Sequence, residues 1–172
     1  MKILALDPAT KCGWAHSCGI SGTWDLSVRR DESSGMRLLR LRGKLAAVKE
    51  SEGVDLVVFE AARNAAPGMQ GALVACTEFQ ATIKLWCHDN GVEYRGYSPA
   101  EIKRFATGKG MAGKPAMKEA ALARWSLEYR VDNMDDNEID AGWLLRLAIS
   151  EYTERTKDDE RTDTADRRTG TA

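Results

Sequence analysis

Two short β-rich runs, each closed by an acid, constrain what this chain can fold into more than any other feature. Ile3-Leu4-Ala5-Leu6 runs into Asp7-Pro8, and Val54 to Phe59 runs into Glu60. Apolar runs of this length, bounded by a turn or a charge, read as buried strands. Between them, Cys12 to Ile20 and Gly22 to Val28 predict two antiparallel strands around a Ser21-Gly22 turn, carrying Trp14 and Trp24. From Ser34 to Glu50 the residues Leu38, Leu41, Leu45 and Val48 recur at helical spacing, with Arg37, Arg40 and Lys44 on a separate stripe. That is an amphipathic helix with a basic face.

After Glu60, Ala61 to Gly71 reads as a loop with a Pro67-Gly68 breaker, leading into a helix from Gln70 to Asn90 with Leu73, Cys76, Ile83 and Cys87 on its core face. Val92 to Tyr97 reads as a fifth strand. Ser98-Pro99-Ala100-Glu101 is a capping box with proline at the first helical position, starting a helix that runs to about Ala106. A glycine-rich loop, Gly108 to Gly113, precedes a helix from Pro115 to Tyr129. A last helix, Asp135 to Thr153, carries its own Asp135-x-x-Glu138 cap. From Glu154 only alanine is apolar, which predicts a disordered polar tail over 154–172 after a single domain of 1–153. Strands followed by alternating strands and helices give an α/β fold: a mixed five-stranded sheet flanked by helices.

Composition excludes several classes. Of 172 residues, 43% are hydrophobic and 30% charged, and no apolar run approaches the roughly 20 residues a bilayer requires. The first residues hold no stretch long enough for a signal peptide, which predicts a cytoplasmic protein. The cysteines Cys12, Cys18, Cys76 and Cys87 form no CxxC pair and are expected as buried thiols. A zinc set of Cys12, His16 and Cys18 matches no common spacing. Net charge is only -1, yet two basic stretches stand out. One holds Arg29, Arg30, Arg37, Arg40, Arg42, Lys44 and Lys49; the other holds Arg95, Lys103, Arg104, Lys109, Lys114 and Lys118. Either face is suited to phosphates.

Three acids interrupt runs that should be buried: Asp7, Glu60 and Asp140. Acids at strand ends often cap turns, and Asp135, Asp136 and Glu138 fall in a first helical turn, which favours carboxylates anyway. Asp140 lies one turn deeper, with Leu144 and Leu147 on its face, where an unpaired carboxylate is costly. If the two strands are neighbours and the last helix crosses their ends, the three carboxylates converge. A divalent cation then relieves their repulsion most simply, and hard oxygen donors select Mg²⁺ or Mn²⁺.

Four stretches, taken in order, resemble the successive motifs of RuvC-type Holliday junction resolvases. They are Ile3 to Pro8 with Gly13-Trp14-Ala15; Val57 to Glu60; Ser98 to Lys103 with Thr107-Gly108-Lys109-Gly110; and Asp136-Asn137-Glu138-Ile139-Asp140-Ala141. The compact size and the last motif are most similar to bacteriophage members, which would place the protein in a bacterial host cytoplasm. The resemblance covers about residues 1–150. It implies an RNase H-like fold acting as a homodimer that cuts two strands of a four-way DNA junction, with two Mg²⁺ ions per active site. It implies that Asp7, Glu60 and Asp140 are catalytic metal ligands. The family usually has Asp or His three residues before the last acid, where this chain has Asn137, with Asp136 one residue earlier. Both share a helical face with Asp140, and both stay open, Asp136 slightly favoured. The family's aromatic wedge after the Glu motif has no aromatic counterpart; Arg63 stands roughly there, and Met69 is the second candidate.

Lys103, Lys109, Lys114 and Lys118 are the expected phosphate contacts, beside a loop whose glycines let DNA approach. With two histidines in the chain, two-metal hydrolysis is better supported than a histidine mechanism. Gly108 to Lys114 matches the GxxxxGK of a P-loop, but Pro115 replaces the required Ser or Thr, so no nucleotide cofactor is expected. The alternatives are a nuclease acting more broadly on branched or flap DNA, and a junction-binding module without turnover.

Overall fold

The computed structural model describes residues 1–61, 70–125 and 131–169. Both acid-terminated runs are strands, β1 (Ile3–Asp7) and β4 (Leu56–Glu60). Between them lie β2 (Lys11–His16), β3 (Ser21–Asp25) and α1 (Met36–Glu52). After β4 come α2 (Gln70–Asp89), β5 (Glu93–Tyr97), α3 (Pro99–Thr107), α4 (Lys114–Trp125), a 3₁₀ turn (Val131–Asn133) and α5 (Asp136–Thr169). The five strands form one mixed sheet in the order β3-β2-β1-β4-β5. β1 pairs antiparallel with β2 and parallel with β4, and β5 continues the parallel half.

Strand alternation assigns each residue to one of two cores. Ile3, Ala5, Leu56 and Val58 face a layer built with Ile102, Met117, Trp125, Trp143 and Leu144, from α3, α4 and α5. Leu4, Leu6, Val57 and Phe59 face Leu41, Leu45, Phe79 and Ile83, from α1 and α2. Both faces of β1 and β4 are covered, which is why they read as unbroken apolar runs. On the α5 side, Trp143 donates Nε1–H to the Met117 carbonyl at 3.2 Å and packs against Trp125 at 4.4 Å between ring centroids. This locks α4 onto α5.

Local signals translate closely. Ser98 accepts from the Glu101 amide while Glu101 accepts from the Ser98 amide, so the capping box forms. Gly108 ends α3 at φ +77°, a conformation that favours glycine. Other expectations are corrected. β2 and β3 stop at His16 and Asp25, earlier than their apolar patterns predict, because Ser17–Ile20 makes the turn and Leu26 donates out of the ladder to Thr10. Cys18 is exposed and Cys76 half-buried; only Cys12 and Cys87 are buried thiols. Leu73 is likewise only half-buried, and Phe79 and Trp86 take its place in the α2 core. Where the sequence predicts a disordered tail after Thr153, α5 continues to Thr169. The segment holds as many Asp and Thr as Glu, Lys and Arg, so intrinsic propensity does not account for the extension. No helix among the described residues is long and apolar enough to cross a membrane.

Candidate functional site

Parity along the strands decides where the acids point. Asp7 continues the Ile3, Ala5 series and Glu60 the Leu56, Val58 series, so both lie on the α5 side of the sheet. The parallel register pairs Leu6 with Phe59, which sets Asp7 and Glu60 side by side at the strand ends. The first turns of α5 cross that edge and bring Asp140. The three carboxylates feel one another. Burial, then the charges of Glu60 and Asp140, push the Asp7 carboxyl up to about 7. Burial, then Asp140, raises Glu60. Burial raises Asp140 to about 6, with Asp136 adding to the rise and Lys114 and Lys103 opposing it.

α5 is held in place from β2 and β3. Asp135 caps it by accepting the Glu138 amide at 2.8 Å, and Thr23 on β3 donates to the same Asp135 oxygen at 2.8 Å. Glu138 accepts from Ser21, also on β3, at 2.6 Å. Asp135 and Glu138 are therefore structural, which leaves Asp136, Asn137 and Asp140 for chemistry. Gly13 on β2, the partner of Asp7 across the ladder, makes the docking possible. A Cβ there would sit 1.9 Å from the Asn137 carbonyl oxygen. Gly13 carries the site's geometry without any functional group. The cue was present in the sequence, because a glycine inside a strand marks a close backbone approach.

The two candidates for a fourth ligand differ. The Asp136 carboxylate lies 3.3 Å from Lys114 Nζ and acts on Asp140. Asn137 presses its main-chain carbonyl toward Gly13. Lys103 lowers Glu60 and Asp140 electrostatically, and Lys114 lowers Asp7 and Asp140, so these two lysines belong to the acid cluster. Lys118 is one helical turn beyond Lys114 on α4, and Lys109 is exposed on the loop before it. Arg63 and Met69 lie outside the described residues.

The first basic stretch belongs to the opposite face of the sheet, with α1, and much of it is engaged. Arg40 pairs with Glu32 at 2.6 Å, Arg42 with Asp89 at 3.3 Å, and Lys49 donates to the Asn90 carbonyl at 2.7 Å. Arg95, from the second stretch, pairs with Glu151 at 2.7 Å and lies over the Tyr97 ring. That leaves the lysines of α3, α4 and their connecting loop as the cationic border of the acids.

The donors suit a hard divalent cation: carboxylates only, crowded enough to resist ionisation. Among the described residues, however, no three acids, histidines or cysteines are gathered tightly enough to form a ready ligand shell. The side chains fit a metal by charge and donor type.

The raised acids set a pH dependence. In the unfolded chain Asp7 titrates near 3.8, and in the metal-free fold near 7. The native state therefore binds the extra proton, and stability falls as pH rises from about 4 to 7. The Asp7 shift corresponds to on the order of 4 kcal/mol. Asp25 and Glu32 are held below their usual values by Lys11 and Arg40, so they stay ionised throughout pH 5 to 8 and leave that window unaffected. Urea unfolding in EDTA should show a more stable protein at pH 5 than at pH 8, with Mg²⁺ recovering much of the loss at pH 8. A flat profile would mean that these acids are not crowded in solution.

A mixed sheet in the order β3-β2-β1-β4-β5, with acids at the ends of its two central strands and on a helix crossing them, is an RNase H-like fold. Two solved structures it resembles are of RuvC. T. thermophilus RuvC in complex with Holliday junction substrate superposes with a TM-score of 0.66 at 15% identity, covering 84% of this chain and 90% of that one. The Thermus thermophilus RuvC structure gives 0.62 at the same identity and coverage. No protein-family model matches the chain, and no curated protein does. The likeness at this identity is one of fold.

Proposed function

We propose that this protein is a metal-dependent, structure-selective DNA endonuclease that resolves four-way junctions by paired strand hydrolysis, acting as a homodimer. The observation that carries the reading is the convergence of Asp7, Glu60 and Asp140 on one edge of a RuvC-like sheet, bordered by Lys103 and Lys114. Asp7, Glu60 and Asp140, with Asp136 favoured over Asn137 as the fourth, would hold two Mg²⁺ or Mn²⁺ ions. Such ions activate water and stabilise the leaving oxygen of a phosphodiester. The buried carboxylates would hold those ions at the strand ends. Lys114, which pairs with Asp136 at 3.3 Å, would contact a phosphate of the cleaved strand. Lys103, Lys109 and Lys118 extend the positive border along the strand. T. thermophilus RuvC was solved in complex with Holliday junction substrate, which favours branched DNA here.

The test is incubation of the protein with labelled four-way junction, matched duplex and flap DNA, in Mg²⁺, Mn²⁺ or EDTA. Paired, metal-dependent nicks confined to the junction are expected. Equal cutting of flaps would keep the nuclease and remove the junction selectivity, and tight binding without cutting in any metal would leave a binding module. Affinity should fall steeply with salt, and Lys109→Ala or Lys118→Ala should each reduce the log–log salt slope by about 0.9. An unchanged slope would remove that lysine from the DNA path.

A further inference from the structure

The loop between α3 and α4 holds a large apolar side chain out in solvent by design of its backbone. Among the described residues Met111 is 95% exposed, whereas the next most exposed large apolar residue, Met1, is 63% exposed. Single apolar residues on a surface are ordinary. This one is presented on a built turn. The Ala112 amide donates to the Lys109 carbonyl at 3.3 Å, closing a turn with Gly110 and Met111 at its tip. Ala112 itself is buried in the α3–α5 core. On the other side, Thr107 Oγ1 accepts the Lys109 amide at 3.2 Å and shares its one proton between the carbonyls of Lys103 at 2.9 Å and Lys109 at 3.1 Å. Both feet of the turn are fixed, so the chain cannot fold Met111 back onto the protein without breaking these contacts.

The surroundings identify what Met111 meets. Lys109 precedes it and Lys114 follows it, both exposed, and Gly110 and Gly113 beside it carry no side chains to hold a partner off. An apolar tip between cations disfavours an apolar protein surface, where the lysines would lose their water. It suits a stack of bases between phosphates. Met111 is three residues from Lys114, at most about 10 Å of chain, and Lys114 reaches the acid cluster through Asp136 at 3.3 Å. We infer that Met111 enters a base step of branched DNA a few nucleotides from the cleaved phosphate, unstacking it while Lys109 and Lys114 hold the flanking phosphates. Apolar wedges act this way in other DNA-bending proteins, and the flexible, polarisable thioether suits contact with a base face. Bases beside a branch point already lack a continuous stack, so the wedge favours branched DNA over duplex.

This inference rests on the nuclease reading above, and one experiment separates the two. Four-way junctions carrying 2-aminopurine at successive positions beside the crossover are titrated with protein in Ca²⁺, which binds without supporting rapid cutting. Binding is read by anisotropy of an end label and unstacking by the 2-aminopurine signal. The wild-type protein should raise the signal several-fold at one position or two adjacent ones. Met111→Ala should lose most of that rise with little loss of binding, and Met111→Leu should keep it. Both variants alter an exposed side chain, and near-ultraviolet circular dichroism of the tryptophans checks their fold. A rise that survives in Met111→Ala, or a bound junction with no rise in the wild type, overturns the wedge and leaves the nuclease reading standing. Failure to bind junction DNA at all overturns both.

Discussion

Asp7→Asn is expected to cut junction cleavage about a thousandfold, because several kcal/mol of transition-state stabilisation by a held metal amounts to about three factors of ten in rate. Junction binding should survive, since the proposed phosphate contacts are lysines on α3, α4 and their loop. The same substitution should raise the stability of the metal-free protein at pH 8. It removes a charge that burial, Glu60 and Asp140 all oppose. Asn keeps the side chain's shape, so the gain is the relieved ionisation cost of a few kcal/mol, about 5–10 °C in Tm for a chain of this size. The two opposite effects belong together: a residue that is bad for the fold and necessary for the chemistry is a functional acid. Cleavage retained in Asp7→Asn, or a drop in metal-free Tm at pH 8, would sink the assignment.

Gly13→Ala is the second large effect. The new Cβ would meet the Asn137 carbonyl oxygen at 1.9 Å and its carbon at 2.3 Å, both main-chain atoms that have no side-chain freedom to yield. The first turn of α5 must move off the sheet, straining the bonds from Ser21 to Glu138 and from Thr23 to Asp135. Overpacking of this kind costs about 1–3 kcal/mol, and each side-chain hydrogen bond lost adds about 1 kcal/mol. A fall of about 5–15 °C in Tm follows. Asp136 and Asp140 move with the helix, so cleavage should fall about a hundredfold, the usual consequence of a displacement near 1 Å. Gly43→Ala on α1, where no atom lies within 4 Å of the added carbon, is the matched control. It should be neutral or slightly stabilising, because alanine is the better helix former. Equal behaviour of the two variants would show that α5 does not dock through Gly13.

How much of this was legible beforehand depends on the range of the interaction. The Ser98 box, the Asp135 cap, the strand ends at Asp7 and Glu60 and the leucine stripe of α1 are set within a few residues, and the structure reproduces each. A resemblance in four motifs pointed to the same sheet, because the motifs are the strand ends and helix turns that build it. For the tail, polarity shows only that a segment offers nothing to bury; α5 continues to Thr169, and the local composition does not explain it.

The sequence by itself determined the elements, the two-sided burial of β1 and β4, and the three acids that have no apolar excuse for their positions. Only the tertiary structure decided which of them meet. The β1–β4 pairing is parallel and spans some fifty residues of chain, and nothing local chooses that neighbour over another. Docking of α5 depends on a missing side chain at Gly13, an absence that acquires meaning only when another backbone arrives. The two basic stretches look alike in sequence. Arg40 and Arg42 are spent on Glu32 and Asp89 on the far face, while Lys103 and Lys114 border the acids, because a sheet has two sides and the chain order does not say which helix covers which.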